Sequence, residues 1–141
     1  MSKGLYPFGL NHYRSLKFQK LRKLISKNQR KIKVEGAYGS SLSFLLIDIF
    51  SSINQQIFYI SNTKETASYV YSDIVELIGE INCSFLPSNY RSDAKKIKDE
   101  SNIINRSKTI RDILDNETKI IVTYPEALFS KIASGQVTII L

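Results

Sequence analysis

The chain holds one cysteine, one methionine, one histidine, three prolines and no tryptophan in 141 residues. The lone cysteine, Cys83, lies within the apolar stretch Ile81–Leu86. It excludes an intrachain disulfide and a cysteine-built zinc cluster, and it fits a reducing, cytoplasmic setting. The lone histidine, His12, stands in the N-terminal lead-in with no serine or cysteine nucleophile motif around it, and reads as a surface side chain. Long apolar runs are also missing. No stretch approaches the roughly 18 to 20 uninterrupted apolar residues of a membrane span, and Met1-Ser2-Lys3-Gly4 is not followed by the apolar core of a signal peptide. A soluble protein is expected.

What is present is enough for one core. With 43% hydrophobic residues, 141 residues can bury a single domain without staples. The net charge of +7 is concentrated at the front, where Arg14, Lys17, Lys20, Arg22, Lys23, Lys27, Arg30, Lys31 and Lys33 interleave with Leu16, Phe18, Leu21, Leu24 and Ile25 at helical spacing. This is an amphipathic basic helix. It is either a solvated face on a docking helix or a contact for phosphate or an acidic partner, with Arg14, Lys17, Lys20, Arg22, Lys23 and Lys27 as the candidate side chains.

Beyond that helix, Lys31–Gly36 alternates charged and apolar residues and predicts a strand. The small-residue turn Gly36–Ser41 then leads into an apolar helical run, Leu42–Phe50. Gln56–Ile60 predicts a second strand, and Asn62 or Thr63 can cap a helix over Lys64–Ile78 that ends at Gly79. Ile81–Leu86 predicts a third strand, closed by Pro87. The polar stretch Arg91–Asn102, which includes Asp93, Asp99 and Glu100, reads as a solvated surface loop. A helix through Ile103–Leu114, a strand at Lys119–Thr123 and a short helix at Glu126–Ile132, with Pro125 in its first turn, complete the pattern. Strands alternating with helices predict an α/β fold, a parallel β-sheet flanked by helices and buried on both faces. Residues 1–30 are read as lead-in and basic helix, 31–133 as the α/β domain, and 134–141 as a tail or the start of a truncated following segment.

A strand feeding a glycine-rich turn that opens a helix is the setting of the phosphate loop G-x-x-x-x-G-K-[ST], whose backbone N–H groups cradle phosphate at a helix N-terminus. The corresponding stretch here is Gly36, Ala37, Tyr38, Gly39, Ser40, Ser41, Leu42 and Ser43. Gly36 takes the first glycine position and Ser43 that of the metal-binding hydroxyl. Ser41 replaces the second glycine, and Leu42 replaces the lysine. A lysine contributes charge-assisted hydrogen bonds of about 1.5–3 kcal/mol each and neutralises charge during phosphoryl transfer; leucine does neither. No acidic pair follows Thr123 to hold Mg²⁺. The loop is expected to be degenerate, with residual anion binding at Ser40 and Ser41 or a plain structural turn as the two outcomes. Tyr59, Tyr69 and Tyr71 resemble a base-stacking set, but Tyr71 falls on the apolar side of its helix and packing is the simpler reading.

Taken in order, Gly36–Ser41, the strand-following helix Asn62–Ile74 with Ala67 and Asp73, the segment Phe85-Leu-Pro-Ser-Asn-Tyr90, and Arg106…Leu114 leading into Ile121-Val-Thr-Tyr-Pro-Glu-Ala-Leu128 resemble the N-terminal domain of the bacterial transcription-repair coupling factor. Order and spacing agree from about Leu21 to Ile132. That domain in turn resembles the first motor lobe of excinuclease B with its nucleotide site decayed. The resemblance implies a degenerate P-loop NTPase (RecA-like) lobe without catalysis or cofactor of its own. ATP and Mg²⁺ belong to the family's motor domains. It implies as partners the remaining domains of the factor and, through other segments, excinuclease A, RNA polymerase and DNA. Excinuclease B carries a long aromatic DNA-gripping hairpin after the tyrosine. Here Arg91–Asn105 contains no aromatic residue, which argues against DNA clamping by this segment.

Overall fold

The computed structural model describes residues 16–27, 31–89 and 96–130. Its elements are α1 (Leu16–Ser26), α2 (Ser40–Ile53), β1 (Ile57–Ile60), α3 (Lys64–Ile78), a 3-10 turn at Glu80–Asn82, β2 (Cys83–Phe85), α4 (Lys96–Leu114), β3 (Ile120–Thr123) and α5 (Pro125–Phe129). The three strands form one parallel sheet in the order β1-β3-β2, with Ile57, Ile120 and Cys83 in register. The expected α/β class holds.

The strand composition explains each place in the sheet. Ile120, Ile121, Val122 and Thr123 are β-branched without a break, suited to a strand covered on both faces, and all four are fully buried in the central position. In β1 burial alternates: Ile57 and Tyr59 turn inward, while Phe58 and Ile60 are about two-fifths exposed, 41% and 40%. On the inward face Ile57, Tyr59, Cys83, Phe85, Ile120 and Val122 meet Leu46, Ile47 and Phe50 of α2 and Ala67, Val70, Ile74 and Ile78 of α3. Full burial of an aliphatic side chain of this size stabilises by about 1.5–3 kcal/mol, so this layer is the main source of cohesion. Across the sheet, α4 is fixed by hydrogen bonds: Thr109 Oγ1 donates to the Phe85 carbonyl at 2.8 Å, and Ser84 Oγ to the Asp112 carboxylate at 2.8 Å.

Helix α3 has the boundaries that its sequence predicts. Thr63, in extended conformation, accepts from the Thr66 N–H at 3.2 Å, Glu65 complements the helix dipole, and Gly79 ends the helix at φ +83°. Other boundaries depart from expectation. Lys31–Gly36 forms no strand; residues 31–38 are irregular, and Ile32 and Val34 line a groove together with α1 instead of pairing with the sheet. Alternation of charged and apolar residues also suits a segment that lays one side on a helix. Secondly, α4 begins at Lys96, so most of the stretch expected as a loop is helical. The chain from Arg91 to Asn116 contains neither glycine nor proline, and its charge marks exposure, not irregularity. Thirdly, β2 starts two residues late because Ile81, 78% exposed, belongs to the 3-10 turn. Helix α5 ends at Phe129, with Ser130 extended, short of the expected end at Ile132, and residues 131–141 lie outside the described residues. Among those described, no helix is long and apolar enough to cross a membrane.

Candidate functional site

Gly36 and Gly39 take positive φ, +84° and +54°, which L side chains rarely adopt. They turn the chain into α2 at a point where Tyr38 stands 82% exposed. The hydrogen bonds of the turn decide whether phosphate could sit there. Ser41 Oγ donates to the Tyr38 carbonyl at 2.6 Å and accepts from the Tyr38 N–H at 2.8 Å. The Ser41 N–H donates to the Tyr38 carbonyl at 3.2 Å, and the Leu42 N–H to the Gly39 carbonyl at 3.1 Å. A phosphate cradle needs such amides to converge on an outside anion. Here three of them are satisfied within the turn.

The other positions of the motif are likewise engaged. Ser40 Oγ lies 3.3 Å from the Tyr69 hydroxyl. Leu42 is half-buried against the core. Ser43 is fully buried, and its hydroxyl donates to Asp73 Oδ2 of α3 at 3.1 Å. The strand that should feed the loop is absent from residues 31–36. Among the described residues, no group of three or more His, Cys, Asp or Glu is placed to hold a metal ion.

In α/β sheets ligands often settle at the carboxyl ends of the strands, and among the described residues the side chains beyond β2 and β3 are engaged with one another there. Tyr124, 1% exposed, donates its hydroxyl to Ser88 Oγ at 3.1 Å and accepts from the Ser88 N–H at 3.0 Å. Beside it the buried Arg106 of α4 donates to the carbonyls of Pro87 at 2.6 Å, Ala127 at 3.0 Å and Ser130 at 2.9 Å. Burial draws its guanidinium below the ordinary value, with the nearby Tyr124 opposing. The Cys83 thiol, buried in β2, is pushed up to about 12 by desolvation and is no nucleophile at neutral pH.

The basic helix divides. Arg22 Nε donates to Asp48 Oδ2 at 2.9 Å and its Nη2 meets Oδ1 of the same carboxylate, so this candidate contact residue is an internal latch between α1 and α2. Lys20, Lys23 and Lys27 are exposed. Arg14 lies outside the described residues, as do the side chain of Lys17, His12, Asp93 and the side chains of Asp99 and Glu100. Sequence reasoning missed Asp48 altogether. The signal was there: a single acid inside the apolar run Leu42–Phe50 must find a cation once the run is buried. Of the three tyrosines, Tyr71 packs against Phe85 with ring centroids 5.4 Å apart and Tyr59 is half-buried, which leaves Tyr69 the exposed one.

Comparison with protein-family models, with curated proteins and with solved structures finds no match to this chain.

Proposed function

We propose that this chain is a non-catalytic scaffold domain, the degenerate RecA-like lobe that begins a transcription-repair coupling factor. The observation that carries the non-catalytic half is the fate of the hydroxyl at the metal position. Ser43 Oγ is buried and given to Asp73, while Ser41 Oγ is spent on Tyr38. A nucleotide would have to break both arrangements and still find no lysine at Leu42. Support for the family half is the order of the resembling segments on the sheet. They supply the turn into α2, most of α3, the end of β2 with the chain beyond it, and the α4–β3–α5 unit from Arg106 onward. In this reading the domain acts through its surfaces: it supports the adjoining repair-recruitment domain and helps restrain the motor until polymerase is engaged, in transcription-coupled nucleotide excision repair.

Titration with a fluorescent ATP analogue and Mg²⁺, then thermal unfolding at millimolar ATP, tests the first half. The expected result is no saturation and no shift, for the parent and for Leu42→Lys alike, because Ser41 still occupies the place where close backbone approach needs glycine. Saturable Mg²⁺-dependent binding would replace this reading with a nucleotide-dependent motor lobe. Co-expression with the remaining domains of a coupling factor tests the second half. A stable complex is expected, and its absence removes the family assignment while leaving the ATP result intact.

A further inference from the structure

An open groove of about 430 Å³ runs between α1, the irregular segment 31–38 and the start of α2. Its floor is aliphatic: Leu21 and Leu24 from α1, Ile32 and Val34 from the segment, and Leu45 from α2, with Phe18 at one end. Helix α1 touches α2 only lightly. Apart from the Arg22–Asp48 pair, its apolar stripe is left half-buried facing this groove, and Val34 is 48% exposed within it. Apolar surface of this kind, held in a concave shape and left uncovered among the described residues, marks an interaction site.

The charge around it is one-sided. Lys20, Lys23 and Lys27 recur at spacings of three and four and share one stripe of α1 beside the apolar one, and Lys20 itself lines the groove. Among the described residues none of these three lysines meets a carboxylate. The one acid in the lining, Glu35, is already paired with Lys33. We infer that this groove docks an acidic amphipathic segment of a partner protein, with leucine- or isoleucine-like side chains in the aliphatic floor and Asp or Glu against Lys20, Lys23 and Lys27. Nucleic acid fits it less well. Phosphate would satisfy the lysines, but the floor offers aliphatic side chains where stacking needs exposed rings. Gly36, Ala37 and Ser41 form part of one wall, yet the inference does not depend on the reading of the turn at Gly36–Ser43, since it rests on the aliphatic floor, the lysines of α1 and a different partner chemistry.

The test is panning of a displayed library of random peptides of about 12 residues, long enough for three helical turns, against the full chain. Enriched peptides should combine Leu or Ile with Asp or Glu. Their binding should weaken about tenfold or more in K20E/K23E/K27E and in Val34→Arg, which fills the groove from an exposed position, and should fall with added salt. Circular dichroism checks that both variants fold, and amide shift changes in the parent should map to residues 18–37, which keeps the test decisive should a variant fail to fold. No enrichment overturns the inference, as do peptides that bind the Val34→Arg chain as tightly as the parent. Binding of a labelled single-stranded oligonucleotide that survives Val34→Arg but not the lysine reversal would assign the stripe to phosphate instead. Contacts from the chain's own Leu5 or Phe8 to the groove methyls in NMR spectra of the parent would make residues 1–15 the occupant and likewise overturn it.

Discussion

At the front of the molecule Arg22 joins α1 to α2 through a carboxylate; at the far edge of the sheet Arg106 joins α4 to α5 and to the chain beyond β2 through carbonyls alone. The two anchors carry their desolvation on opposite partners. The Arg22 side chain is 42% exposed while that of Asp48 is 2%, so there the buried member is the acid. Arg106 is 4% exposed and its Nε has no partner among the described residues, so here the buried member is the base. An exposed arginine on a buried acid makes a latch that water can reach. A buried arginine on three carbonyls makes a dry joint, beside the Tyr124–Ser88 and Asn89–Ser130 hydrogen bonds that tie the same segments.

Replacing the dry joint should cost most. Arg106→Met removes charge-assisted bonds to three carbonyls and strands them in a closed edge, for a loss of about 3 kcal/mol in urea denaturation after the relief of guanidinium desolvation is allowed for. Arg106→Lys should recover little of it, since one ammonium cannot span the three acceptors. A loss below about 1 kcal/mol would mean that water reaches Pro87, Ala127 and Ser130, and the contrast between the two anchors would collapse.

The latch should respond asymmetrically. Arg22→Ala leaves a buried carboxylate uncompensated and should cost about 2 kcal/mol, whereas Asp48→Asn leaves an arginine that can turn to solvent and should cost under about 1 kcal/mol. The double variant should match Asp48→Asn. Equal losses from the two single variants would show that burial of Asp48 is not what the pair is holding. Hydrogen exchange over α1 offers a second readout, because either change should loosen that helix before the sheet.

A third pair sharpens the comparison because both members are mostly covered. Lys119 Nζ donates to Asp112 Oδ2 at 2.9 Å, and Ser84 shares that oxygen. Burial pushes the Asp112 carboxyl up, but the hydrogen bonds from Lys119 and Ser84 and the charges of Lys119 and Lys108 outweigh it and hold the group below its ordinary range. A carboxyl lower in the folded chain than in the unfolded one stabilises fully above its unfolded value, about 3.9, and loses that contribution as pH falls through the folded value. Asp112→Asn should therefore flatten the acid limb of the stability curve below about pH 4 and leave its slope at neutral pH unchanged. An unaltered acid limb would remove Asp112 from the account. This is the smallest of the three effects.

Much of the fold is legible in the residues. Thr63 and Gly79 bracket α3, the unbroken β-branched run of β3 announces a strand covered on both faces, and Pro125 marks the start of α5. Local signals of this kind need no knowledge of the partner. The departures share the opposite character. Whether Ile32 and Val34 pair with a sheet or lie on α1 depends on what else reaches the sheet edge, and alternation cannot decide that. The charge of Lys96–Asn102 suggests a loop only because charge reports exposure, and exposure is shared by loops and helix surfaces. Within the candidate site the missing lysine at Leu42 is plain. The engagement of Ser43 with Asp73, 30 residues on, is not, since it arises from the packing of α2 on α3.

The order β1-β3-β2 places in the middle of the sheet the last of these three strands that the ribosome makes. Among the described residues, β1 and β2 do not pair with each other, and each takes its ladder bonds from β3. A nascent chain ending at Lys119 therefore holds two strands that have yet to join, and its inward-facing side chains have only α2 and α3 to collapse upon. Once residues 120–123 emerge, one short segment closes both ladders together. The strand order therefore predicts that this sheet assembles in a single late event, for which the helices made before it must wait without misassociating.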